Sequence, residues 1–255
     1  MRKGYLLIDH EEYKVKVKLS ASTNFLLQQD MFRFGFVKNN EEPNINYFIN
    51  HILPIIYRYR KTQDNSLEKK LSKICRQEVM YSLINELNSF YYEDTISYHN
   101  EIINLRISKK NMELFNHIFS DASYKKSTII RSLINQYSNL KLDMREFLCF
   151  NAEYHLIEKA LCKYNVTLMN NGKRTIFFPI EISTCPINSE IFVFGLCVDG
   201  HNLNVKAIRL CDVNIIQKNE TNLIFHFTEE VKIKVDEYIL NLEYLDNDNK
   251  KVGEI

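Results

Sequence analysis

Tyr13-Lys14-Val15-Lys16-Val17-Lys18-Leu19-Ser20 alternates apolar and lysine residues without a break. Period two sets the apolar residues on one side of an extended strand and the three lysines on the other, giving a dry face and a basic face. Ser20 and Ser22 suit a helix N-cap, and beyond them Phe25, Leu26, Met31 and Phe32 recur at helical spacing up to Gly35. The polar stretch 38–42 reads as a loop. Pro43 opens a second helical pattern with Ile45, Phe48, Ile49, Ile52, Ile55 and Ile56 on one stripe, in which Pro54 predicts a kink or an early stop. The order is strand, helix, helix.

The same order recurs. Glu101-Ile102-Ile103-Asn104-Leu105-Arg106-Ile107-Ser108 again alternates and again ends on serine. Helical stripes follow at Met112, Leu114, Phe115, Ile118 and Phe119, then at Ile129, Ile130, Leu133, Ile134 and Tyr137. Laying Val15–Ser20 on Ile103–Ser108 sets Val17 on Leu105, Leu19 on Ile107, Ser20 on Ser108 and Lys18 on Arg106, a repeat weak in identity and consistent in pattern.

Both copies resemble the ribbon-helix-helix family, whose strand pairs with a second copy into a two-stranded ribbon that enters the major groove. The resemblance implies groove-facing roles for Lys14, Lys16 and Lys18 in the first copy and for Asn104 and Arg106 in the second. Lysine and arginine donate to guanine edges or phosphates, and asparagine pairs with adenine. At the second-helix N-termini it places Asn44 and Asn46 in one copy, and Lys125, Lys126 and Ser127 in the other, where an anion would bind. A lysine-rich outer face also keeps an edge strand from aggregating, so alternation alone is not specific. A homodimer is expected, and whether the two copies pair within one chain or each across the dimer is left open by the sequence.

Between the copies, residues 66–92 read as one long amphipathic helix along Leu67, Leu71, Ile74, Met80, Leu83, Leu87 and Phe90, with its repeat breaking around Gln77 and Glu78. From Asp143 to Tyr164 the pattern is helical, and then the period changes to two. Strands are expected at 165–169, 174–183, 190–198, 203–210 and 213–217, divided by Asn170-Asn171-Gly172, by Pro186 with Asn188, and by Asp199-Gly200. Five short strands suggest a small antiparallel barrel. Residues 218–255 hold one expected strand at 223–227, a stretch at 228–244 that reads as strand or helix, and a charged tail.

Residues 144–217 resemble the WYL domain, an Sm-like (SH3-type) barrel of bacterial regulators. The resemblance rests on Arg145-Glu146, Leu156-Ile157-Glu158-Lys159-Ala160-Leu161, Val166-Thr167-Leu168, Phe178-Pro179-Ile180, the segment 191–197, and Lys206-Ala207-Ile208-Arg209-Leu210. It implies a ligand-sensing pocket with Phe192, Lys206 and Arg209 on its wall. Ile191-Phe192-Val193 stands where the family carries Trp-Tyr-Leu, and the chain has no Trp. Without the family, Arg209 reads as a surface ion pair with Asp212 or another acid. Phe192, Phe194 and Tyr164 are candidates for stacking unpaired bases.

The expected fold is therefore α+β: one or two ribbon-helix-helix units and further helices, followed by a small Sm-like barrel. The divisions are 1–66, 67–142, 143–217 and 218–255. Enzymatic function is not expected. No phosphate-cradling glycine motif is present, the seven histidines include no His-x-x-x-His or His-Glu-x-x-His, and no Gly-x-Ser-x-Gly occurs, so no metal or cofactor is called for. Six cysteines without a Cys-x-x-Cys pair fit reduced, mostly buried thiols in a cytoplasmic protein, and no run is long enough to span a membrane.

Binding fits better. The joining of ribbon-helix-helix to WYL is similar to the WYL-type accessory proteins of type VI-D CRISPR systems, which bind single-stranded RNA and stimulate the effector nuclease. The sequence thus points to a nucleic-acid-binding regulator, on duplex DNA or as such an RNA-binding accessory. A protein-interaction module without nucleic acid is the alternative from another class. The formal charge of +1 over 255 residues does not oppose nucleic acid, because residues 1–66 carry +3 and residues 97–142 carry +4.

Overall fold

In the computed structural model, residues 12–92, 100–114, 125–170, 173–199 and 202–219 are described, and they belong to two compact units that divide between Leu140 and Lys141. The expectations for 220–255, and for Phe115, Ile118 and Phe119, lie outside the described residues.

In the first unit the lysine strand is β1 (Glu12–Ser20), followed by α1 (Ala21–Arg33), α2 (Ile45–Leu71), α3 (Gln77–Tyr92), β2 (Asn100–Ser108), a helical segment at 109–114 and α4 (Lys126–Ser138). Ser20 does cap α1, its Oγ accepting the Thr23 N–H at 3.1 Å, and Ser108 Oγ accepts the Asn111 N–H at 3.4 Å in the same way. Gly35 ends the first helix at φ +73°, the left-handed conformation a non-glycine residue avoids. Pro54 does not stop α2, which runs on to Leu71. The long helix expected over 66–92 is therefore two helices, the first continuing the stripe that began at Ile45.

β1 and β2 pair with each other, antiparallel and inside one chain, in the register Lys14 to Arg106, Lys16 to Asn104 and Lys18 to Ile102. Positions related by the repeat are 88 residues apart, and this is the register in which the related pair Lys16 and Asn104 meet at the centre. A pseudo-two-fold axis thus runs through the ribbon. Its dry face buries Val17, Leu19, Leu105 and Ile107 almost completely. Packing is crossed, for α4 of the second copy lies on β1 and α2 of the first lies on β2. Neither strand is covered without the other copy's helix, so the two copies must fold together. At roughly 1.5–3 kcal/mol for each buried aliphatic side chain, that shared face contributes strongly. Deeper in, Phe48 meets Tyr137 edge-on at 5.8 Å, and the Tyr137 hydroxyl donates to the fully buried Asp30 at 2.8 Å.

The second unit begins with α5 (Leu142–Cys149) and α6 (Asn151–Ala160), separated at Phe150, where one continuous helix was expected. Five strands follow: β3 (Asn165–Asn170), β4 (Lys173–Thr184), β5 (Ile191–Asp199), β6 (Asn202–Arg209) and β7 (Ile215–Asn219). They form one antiparallel sheet in the order β6-β5-β4-β3-β7, with a 3-10 turn at Leu210–Asp212. Among the described residues the end strands do not pair, so the expected barrel is not closed. The register shifts between Pro179 and Glu181, where β4 bends; proline has no N–H to give the ladder. Opposite it, a Cβ at Gly195 would fall on the Phe178 carbonyl oxygen and lie 2.6 Å from the Phe177 ring.

Candidate nucleic-acid interface

Lys14, Lys16 and Lys18 project from β1, and Ile102, Asn104 and Arg106 from β2, into one solvent-exposed face. The sequence-predicted ribbon residues from the two copies are thereby brought together. The backbone of β2 explains their spacing. Asn46 Oδ1 accepts the Arg106 N–H at 2.9 Å, and Asn50 Nδ2 donates to the Arg106 carbonyl at 2.7 Å. Both backbone groups of Arg106 therefore turn away from β1. Lys14 and Arg106 form a non-hydrogen-bonded pair, and by alternation so do Lys16 with Asn104 and Lys18 with Ile102.

Side chains of such pairs approach most closely across a ladder, and like charges placed opposite destabilise it by roughly 0.2–1 kcal/mol. Lys14 lies opposite Arg106, and of the acids in the two strands Glu12, at the start of β1, shares the lysines' parity. Glu101, the acid of β2, has the opposite parity and accepts a hydrogen bond from Asn24 on α1. Among the described residues Lys14, Lys16 and Lys18 form no ion pair. A face that gathers three lysines and an arginine is suited to a polyanion.

The second-helix N-termini differ from the sequence expectation. Asn44 Oδ1 accepts the Tyr47 N–H of its own helix at 3.2 Å, and Asn46 is engaged by β2, so these two asparagines serve the fold. Asn50, which sequence reasoning passed over, also accepts the Ser108 N–H at 2.8 Å, and its carbonyl accepts from Asn111 Nδ2 at 2.8 Å. The only sequence signal was a polar residue at the margin of an apolar stripe. In the second copy Lys125 and Lys126 are exposed at the start of α4, with Lys126 Nζ 5.9 Å from the centre of the Tyr13 ring. Ser127 is half-buried.

In the second unit, Phe192 and Arg209 are cross-strand partners, whereas Lys206 faces Gly195 three residues along. An odd spacing on an unbroken ladder puts Lys206 on the opposite face, so the three residues expected to line one pocket are divided by the pleat. Arg209 Nη1 meets Glu190 Oε1 at 3.3 Å and its Nε meets Asp212 Oδ2 at 3.1 Å, the ion-pair reading of this residue. Phe194 is 3% exposed and so has no face free for a base; Phe192 and Tyr164 are half-buried.

Glu146 holds this corner. Its two carboxylate oxygens accept the Ile191 N–H at 2.8 Å and the Cys211 N–H at 3.1 Å, tying α5 to β5 and to the 3-10 turn. Burial pushes this carboxyl up to about 7, against the two backbone hydrogen bonds that hold it down.

Among the described residues no cluster of His, Cys, Asp or Glu could hold a metal ion, and no helix is long and apolar enough to cross a membrane. The six cysteines form no disulfide; Cys149, Cys197 and Cys211 are buried and Cys162 is exposed.

The class this arrangement defines is an α+β protein in which an internally paired strand-helix-helix repeat precedes a unit of two helices and a bent antiparallel sheet. A solved structure described as "Crystal structure of a CRISPR Cas-related protein" is similar, with a TM-score of 0.65 at 13% identity over 92% of this chain and 72% of that one. No family model and no curated protein matches the chain.

Proposed function

We propose that the chain is a non-enzymatic nucleic-acid-binding regulator combining ribbon-helix-helix and WYL domains, with the exposed face of β1 and β2 as its grip. The observation that carries this reading is the juxtaposition of Lys14, Lys16, Lys18 and Arg106 on one exposed face of the ribbon. A two-stranded ribbon fits the major groove of B-DNA, whose edges lysine, arginine and asparagine read. Crossed packing of the helices on the ribbon supports the ribbon-helix-helix assignment. The return of β7 to the side of β3 supports the Sm-like one, since a curling sheet needs that order to approach closure. With both strands in one chain, the homodimer expected from sequence is not what completes the ribbon. The proposed location is the cytoplasm.

The second reading is a single-stranded-RNA-binding accessory that stimulates a type VI-D CRISPR effector nuclease, and the likeness to a CRISPR Cas-related protein favours its CRISPR association. One titration separates the two. Single-stranded RNA, single-stranded DNA and duplex DNA are compared at several salt concentrations with the wild type, Lys16→Ala/Lys18→Ala and Arg209→Ala. The ribbon reading expects duplex binding whose log–log salt slope falls by about 1 for each phosphate-contacting lysine removed. Preference for single-stranded RNA selects the accessory reading. Absence of binding to every polymer leaves a protein-interaction module.

A further inference from the structure

On the exposed face of the ribbon the pseudo-two-fold relates a cation to a hydrocarbon at one pair. Lys18 and Arg106 are equivalent and both cationic; Lys16 and Asn104 are equivalent and both polar. The partner of Lys14 under the same relation is Ile102. This residue is 62% exposed, ahead of a run from Ile103 to Ser108 that alternates apolar inward and polar outward. The ribbon ends are therefore chemically distinct. Lys14 sits opposite Arg106 at one end, and Lys18 sits opposite a bare hydrocarbon at the other. An apolar side chain standing among cations gains nothing from water, and a cation in its place would have cost the ladder no more than Lys14 opposite Arg106 already does.

In a major groove the two ends meet different chemistry. Paired cations donate to guanine O6 and N7 or to phosphates, whereas an exposed aliphatic side chain has one apolar partner on the base edges, the 5-methyl group of thymine. We infer that Ile102 is a specificity-determining residue that makes the ribbon a reader of a duplex site with two unlike halves, thymine lying on the Ile102 side. The inference rests on the ribbon being the duplex-binding face. It replaces the palindrome that two identical strands would read with an oriented site, so the protein would bind in one direction only.

Selection from a randomised duplex library by the wild type, Ile102→Lys and Ile102→Val tests this, with melting temperatures recorded for each; the exposed position predicts equal stability for Ile102→Val, and the like charge opposite Lys18 a small loss for Ile102→Lys. The wild type and Ile102→Val are expected to enrich an asymmetric motif, and Ile102→Lys a motif closer to a palindrome. Replacing the selected thymine by deoxyuridine, which removes only the methyl group, is expected to weaken wild-type binding about four-fold and to leave Ile102→Lys unchanged. A palindromic wild-type motif, or an Ile102→Lys motif identical to it, overturns the inference and leaves the ribbon reading standing. Failure of any duplex to bind at low salt, or binding unaffected by Lys16→Ala/Lys18→Ala, overturns the ribbon reading and the inference with it.

Discussion

Single polar residues decide how tightly each unit is specified. Tyr137 donates to the fully buried Asp30, so Tyr137→Phe removes a donor from a carboxylate that cannot reach water. A loss of about 1–3 kcal/mol is expected in chemical denaturation, with little change in shape. Glu146 behaves differently because its carboxyl lies raised from the ordinary 4.5 to about 7. A raised carboxyl adds stability below its unfolded value, and that contribution disappears as pH climbs through the folded value. Stability of the second unit is therefore expected to fall between pH 5 and pH 8, by up to about 3 kcal/mol from this group. Glu146→Gln flattens the dependence in melting curves at the two pH values; an unchanged slope would assign it elsewhere. Sequence marked Glu146 only as part of a resemblance. Its role depends on two backbone N–H groups, 45 and 65 residues away, that no local pattern reveals.

At the scale of elements, the asparagines on α2 and the bend in β4 matter most. Asn50 satisfies the Arg106 carbonyl and the Ser108 N–H on the outer edge of β2, an edge that would otherwise be open to pairing with another chain. Asn50→Ala is expected to lower stability by roughly 2–4 kcal/mol, the cost of stranding two such groups, and to speed amide exchange at Ser108. Gly195→Ala is expected to destabilise the sheet by at least about 1–3 kcal/mol, since its Cβ meets backbone and a packed ring rather than a flexible side chain. Period and capping made β1, α1 and β2 legible in the sequence, down to both serines. Boundaries inside continuous apolar stripes were not legible. The second helix runs through residue 66 to Leu71, and α5 parts from α6 at Phe150, because a stripe records burial and not the backbone break within it.

For the whole molecule, charge and pairing act together. If all four cations of the ribbon face meet phosphate, the log–log salt dependence of duplex binding has a slope near −4, and Arg209→Ala leaves it unchanged because that side chain is committed to Glu190 and Asp212. A slope lost in Arg209→Ala would move the grip to the second unit. The amino-acid sequence by itself determined the strand-helix-helix repeat, the basic face of β1 and the five-stranded region, because period, capping serines and turn residues act over a few positions. Only the tertiary structure decided that the two strands pair within one chain, that Asn44 and Asn46 are spent on the backbone, that Lys206 is divided from Phe192 and Arg209, and that the sheet is open at its ends. Those outcomes depend on which distant segments share a register, and a one-residue change of register moves every side chain to the other face.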